Sequence, residues 1–368
     1  MRTSSKSPLM TALFASLLLI AILLAIAVGA KLGKTKTSPQ VQESLNAQET
    51  PSVEETQKEK DEPAPVFFSI MTHLEGNWTQ AIDFEPFFDR QAEYLRQGYA
   101  YAQTYNAILT IESEIPMAEA MVKWNDNLLQ EALDLGQGVG THCDITPSEK
   151  YSTEEIIEEF ARRKRAVDVL VDPSENLGCS GGGGVSDWYL GAVGAGFDYI
   201  DGTVGFHLLA VPVRERPQGW DNRAILSEYY HYGVPREDQK KYYPFFISNV
   251  GFEEDPSGAL LVSAGDIGAI QAIAELEGKE GWDGDCEGEC EFSREDVDVL
   301  VERIQTLVDD RDETRVMKLQ VYIATQYYAD PDMEYFFQEM EKLQDEQVFQ
   351  WASQKQVYEA VVDWDDRS

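Results

Sequence analysis

Val66-Phe67-Phe68-Ser69-Ile70-Met71-Thr72-His73-Leu74-Glu75-Gly76 is the stretch on which the fold turns. Its first six residues form an apolar run that reads as a buried strand. Residues two apart in a strand share a face, so His73 and Glu75 leave the strand end side by side, with Leu74 turned the other way. The pattern recurs as Thr141-His142-Cys143-Asp144, after Gly138-Val139-Gly140. The chain has four histidines, and two of them sit in these matched Thr-His-x-acid units. Imidazoles next to carboxylates are the donor set of a divalent metal such as zinc. The plainer alternative is two unrelated strand ends with hydrogen-bonded histidines. Recurrence favours one shared polar site, with His73, Glu75, His142 and Asp144 as metal ligands.

Outward from this stretch, apolar runs and helical patterns alternate. Phe84 to Gly98 reads as an amphipathic helix, Ala107 to Ile111 as a strand, Met117 to Leu135 as a helix and Gln137 to Thr141 as a strand. Ser152 and Glu155 form a capping box that opens a helix running through Val167. Asp187 caps a further helix, and Pro212 to Pro244, aromatic and without period, reads as a long loop or lid. Leu260 to Ser263, Lys318 to Ala324 and Val348 to Trp351 read as strands, with helices starting near Ser293, Asp330 and Ser353. Such alternation predicts a parallel sheet with crossover helices, a (β/α) barrel whose site lies at the C-terminal strand ends. Both Thr-His-x-acid units fall at that end.

Before the barrel, residues 9–30 carry no charge and, in a helix, would span about 33 Å, enough to cross a bilayer. Residues 1–32 therefore read as an N-terminal transmembrane anchor, with a cleaved signal peptide as the alternative. Residues 33–65 are rich in Ser, Thr, Gln, Glu and Pro and read as a disordered linker. The domain at 66–368 is then expected outside the cytoplasm, single-pass at the cell membrane, or secreted. A net charge of -36 excludes a phosphate-binding basic face, and with it nucleic acid. Cys286 and Cys290 are close enough in sequence to pair, in a carboxylate-dense loop, although spacing alone does not prove a disulfide.

With these elements in place, the chain resembles the polysaccharide deacetylases of the NodB type, whose fold is a deformed (β/α) barrel of about seven parallel strands. Thr72-His73-Leu74-Glu75-Gly76 stands where that family has Thr-Phe-Asp-Asp-Gly, and Gly140-Thr141-His142 matches the start of its His-Ser/Thr-x-x-His motif. The resemblance implies a metal-dependent hydrolase removing acyl groups from a polysaccharide or cell-wall glycan. It places Glu75 at the family's metal-binding Asp. It also shows departures: Leu74 replaces the catalytic base, Thr146 replaces the second histidine, and no Arg or Pro lies near Cys179-Ser180-Gly181-Gly182. The base is then expected to be Asp144 or Glu112, with His207 as general acid. Trp78, Trp188 and Trp220 are candidate stacking faces for sugar rings. Two other readings stand beside this one. A metal-free glycoside hydrolase would pair Glu75 with Glu112 or Asp144, and a non-catalytic module would bind glycan or protein at the same place.

Overall fold

The computed structural model describes residues 62–75, 79–146, 148–231, 233–234, 241–263, 267–274 and 291–367. The charge-free run at 9–30, residues 33–61 of the expected linker, Trp78 and the Cys286–Cys290 loop lie outside the described residues, whereas the linker's last residues are part of the fold: Ala64 is buried and its amide donates to the Glu313 carbonyl at 2.7 Å. Among those described, no helix is long and apolar enough to cross a membrane.

The strands are β1 (Val66–Leu74), β2 (Leu109–Ser113), β3 (Gly138–His142), β4 (Gly178–Ser180), β5 (Tyr199–Ile200), β6 (Phe245–Ile247), β7 (Leu260–Val262), β8 (Gly268–Ala269), β9 (Met317–Tyr322) and β10 (Gln350–Trp351). They make one 10-stranded sheet in the order β6-β7-β5-β4-β3-β2-β1-β9-β8, with β10 added against β1. All pairings are parallel except β6 with β7. The expected barrel of about seven parallel strands is thus a curled, open, mostly parallel sheet with one antiparallel edge strand. β4, β6 and β8, two or three residues each, are strands beyond those expected.

The alternation of β1 sorts its side chains between two environments. Val66, Phe68, Ile70 and Leu74 join the main apolar core. They pack with Phe88, Leu95 and Tyr99 of α2 (Glu85–Thr104), which follows the single turn α1 (Gln80–Asp83), and with Met117 and Met121 of α3 (Ile115–Trp124). The other face of the strands is polar. Ser69 donates to the Ala352 carbonyl at 2.9 Å, and the Thr110 hydroxyl accepts from the Gln354 amide at 3.0 Å. Gln354 also donates to Gln320. Buried polar groups of this kind persist because they are paired, so hydrogen bonds contribute to holding this face of the sheet, while the other is held by apolar packing.

The helix expected over 117–135 is two, α3 and α4 (Leu128–Asp134), because Asn125 adopts φ 55 and ends the first. α5 (Thr153–Asp168) opens with the predicted capping box of Ser152 and Glu155. α6 (Trp188–Ala195) is capped by Asp187, whose carboxylate accepts from the Leu190 amide at 3.0 Å. Part of the expected loop or lid at 212–244 is structured, with a 3-10 turn at Val213–Glu215 and α7 (Asn222–Ser227), and a further 3-10 turn, Gly205–Ala210, precedes it. With α5 and α6 it forms a second apolar cluster around Phe160, Trp188 and Phe206. α8 (Arg294–Asp309), α9 (Met333–Asp345) and α10 (Gln354–Arg367) complete the helical layer.

Gly178 on β4 shows how tightly the interior is filled. A Cβ there would lie 1.8 Å from Tyr199 Cε2. Gly178→Ala is expected to destabilise the fold by about 1–3 kcal/mol through overpacking. A denaturant midpoint equal to that of the parent would refute this.

Candidate metal centre

Four adjacent strands each deliver one polar side chain to the C-terminal end of the sheet: His73 from β1, Glu112 from β2, His142 from β3 and Ser180 from β4. The register accounts for their meeting. His73 lies opposite Glu112, Glu112 opposite Gly140, and His142 opposite Ser180. Gly140 leaves Glu112 its space, since a Cβ there would stand 3.2 Å from Glu112 Oε1.

His73 Nε2 is 3.3 Å from Glu112 Oε2. The two imidazoles stack with centroids 3.9 Å apart and planes at 25°. One donor atom from each of His73, Glu112 and His142 falls within 4.8 Å of the others. The Ser180 hydroxyl joins the rings, 2.8 Å from His142 Nδ1 and 3.1 Å from His73 Nε2.

The four expected ligands do not all converge. Glu75 and Asp144 sit at the outer nitrogens of the two rings: Glu75 Oε1 is 3.9 Å from His73 Nδ1, and Asp144 Oδ2 is 3.6 Å from His142 Nε2. Their side chains are 57% and 45% exposed, whereas that of Glu112 is 1% exposed. Carboxylates at the far ring nitrogen orient a ligating imidazole. Glu75 and Asp144 take that place, and Glu112 takes the buried place within the donor group.

Charge follows from these positions. Burial, with His142 beside it, lowers the His73 pKa to about 3. Burial also works against protonating His142, but Asp144 and, more weakly, Glu75 lift its pKa to about 10. Burial alone would raise Asp144, yet the His142 imidazolium holds it well below the usual carboxylate range. Without a metal, one ring is therefore charged and its partner neutral. Burial raises the Glu112 pKa. Its carboxylate lies against Ser180 and the buried Asp201 without a well-formed hydrogen bond to either. A buried carboxylate of this kind is costly unless a cation compensates it. The donor set of two imidazoles and one carboxylate suits a divalent transition metal.

His207 is placed differently from the general acid expected of it. It is fully buried in the Gly205–Ala210 turn. Its Nε2 donates to the Gly181 carbonyl at 3.1 Å, and its Nδ1 accepts from the Val204 amide at 3.1 Å. Burial lowers its pKa to about 4. With both nitrogens engaged by backbone, it fastens the Gly205–Ala210 turn to the glycine segment after β4. Trp188 is likewise a core residue, 0% exposed, and donates to the His207 carbonyl. Trp220 stacks on Tyr229.

A pocket of about 250 Å³ opens above the group. Met71, Phe206, Tyr230 and Tyr322 contribute its apolar wall, and all four histidines of the chain, His231 included, line it. Ser180 and Asp201 escaped sequence reading. Ser180 sits in a stretch read only for its glycines, and the strand ending at Ile200 places Asp201 where no motif announces it.

No family model matches the sequence, and no curated protein matches it. Solved structures do. A protein named as a polysaccharide deacetylase from Mycobacterium smegmatis aligns at TM-score 0.50 and 10% identity, over 82% of this chain and 94% of its own. The PuuE allantoinase aligns at TM-score 0.51 and 10% identity, over 81% and 90%. At such identities the likeness is one of fold. The fold is similar to that of both proteins, which accords with the fold that the resemblance implied.

Proposed function

We propose that the protein is a metal-dependent hydrolase that removes acyl groups from a glycan, held outside the cytoplasm by residues 1–32 and the linker at 33–65. The observation that carries this reading is the convergence of His73, Glu112 and His142 beneath a pocket at the C-terminal strand ends, where barrel enzymes keep their chemistry. A divalent ion held by these three residues supplies Lewis-acid polarisation of an acyl carbonyl and activation of water. Zinc fits the donor types best.

The chain's own residues do the rest. Glu75 and Asp144 hold the two imidazoles at their outer nitrogens. Asp144, ionised and half exposed at the pocket, is the carboxylate placed to accept a proton from attacking water. Met71, Phe206, Tyr230 and Tyr322 limit water around the reacting group, which strengthens every charge interaction there. The glycosidase alternative loses one of its partners, because Glu112 is buried beneath the imidazoles rather than facing the pocket.

The test uses the full-length chain, purified without chelator or metal-affinity resin. Elemental analysis is expected to find near-stoichiometric zinc or another transition metal, lost in His142→Ala. Deacetylation of an N-acetylated oligosaccharide should stop with chelator and return with metal. A wild-type chain that neither carries nor takes up metal would sink the proposal.

A further inference from the structure

We infer that Ser180 supplies the fourth donor of this centre, through its hydroxyl oxygen. This rests on the metal reading above and extends it to a residue that no resemblance points to. The contacts of one atom carry it. Ser180 Oγ lies 2.8 Å from His142 Nδ1 and 3.1 Å from His73 Nε2. The three candidate ligands already converge on one another. An oxygen bonded to both imidazoles of that group stands at the remaining corner of the donor set.

The fold holds it there. β4 is paired to β3 at His142↔Ser180, and the Cys143 amide donates to the Ser180 carbonyl at 2.8 Å. Ser180 is 2% exposed, so the hydroxyl is fixed among the donors rather than free to turn to bulk solvent. The next residue, Gly181, turns the chain away at φ +76, and a Cβ there would meet Asp144 Oδ1 at 2.7 Å. A neutral hydroxyl is the weakest of the four donors, which makes position 180 the one that an incoming oxygen ligand can displace. Three protein ligands and one exchangeable position is the arrangement catalytic zinc sites use.

The experiment reads cobalt spectra of the full-length chain, with cobalt(II) as the probe, in wild type, Ser180→Cys and Ser180→Ala. A thiol at position 180 has nearly the size of the hydroxyl, and as a ligand it gives a thiolate-to-cobalt charge-transfer band in the near ultraviolet. The proposal expects that band in Ser180→Cys and not in wild type, whose four cysteines serve as the internal control. It also expects about tenfold or greater loss of cobalt affinity in Ser180→Ala, with an altered visible spectrum. Cobalt bound by Ser180→Cys without the band would overturn the proposal and leave the metal reading intact. A wild type that binds neither cobalt nor zinc would overturn both. If Ser180→Cys does not fold, Ser180→Ala decides alone: wild-type affinity with an unchanged visible spectrum overturns the proposal.

Discussion

Glu112→Gln is expected to weaken zinc or cobalt binding by more than about 100-fold, while Glu75→Ala and Asp144→Ala lose about 10- to 100-fold. The lower range is typical for groups that only orient a ligating imidazole. The ordering separates two assignments of the same carboxylates. Spacing along the chain makes Glu75 and Asp144 ligands, whereas the fold makes them partners of the outer ring nitrogens, at 3.9 and 3.6 Å. Glutamine matches glutamate in size, and the Glu112 carboxylate has no well-formed hydrogen bond to lose. A thermal melt of the metal-free variant beside the parent at the same pH separates the effect of the missing charge on affinity from any effect on folding. Affinities measured by competition with a chromophoric chelator provide the check. A larger loss in Glu75→Ala than in Glu112→Gln would restore the assignment from spacing.

That reversal marks the limit of what the chain discloses. A strand's period of two placed His73 and Leu74 on opposite faces, and the structure agrees: Leu74 is in the main core, and His73 is at the pocket. The same period gave no account of which residue lies across from His73. That depends on register between strands 35 or more residues apart, and register put Glu112 there. The apolar run also ends β2 at Ile111 and leaves Glu112 beyond it, whereas Glu112 is the strand's fourth residue. Capping was legible for a local reason: Ser152 with Glu155, and Asp187 with Leu190, are complete within a few residues. Ser180 and Asp201 were not legible, because each owes its role to neighbours distant in sequence. His207 poses the opposite difficulty. A histidine near a pocket can serve chemistry or structure, and only the two backbone groups on its nitrogens decide.

The second large effect concerns Asp201. It is 1% exposed and stands beside Glu112, with Lys318, also 1% exposed, as the nearby positive charge. Burial first, and then the Glu112 charge, raise its pKa well above the ordinary 3.8, against the opposing pull of Lys318. Two carboxyls and one ammonium in a shared interior are electrically balanced when the pair keeps one proton, as close carboxyl pairs do. The folded, metal-free protein therefore binds that proton more tightly than the unfolded chain does. Stability from this source is complete below the unfolded pKa and declines as pH rises through the raised folded value. Asp201→Asn removes the need for the proton while leaving Glu112 and Lys318 to balance each other. Its melting temperature, measured on chelator-treated full-length chain, should fall less than the parent's as pH is raised from 5 to 9, so the gap between the two widens with pH. One decade of proton affinity is worth about 1.4 kcal/mol, enough to move the midpoint of a domain this size by a few degrees. Parallel curves for the two proteins would mean that Asp201 and Glu112 do not share a proton across the fold.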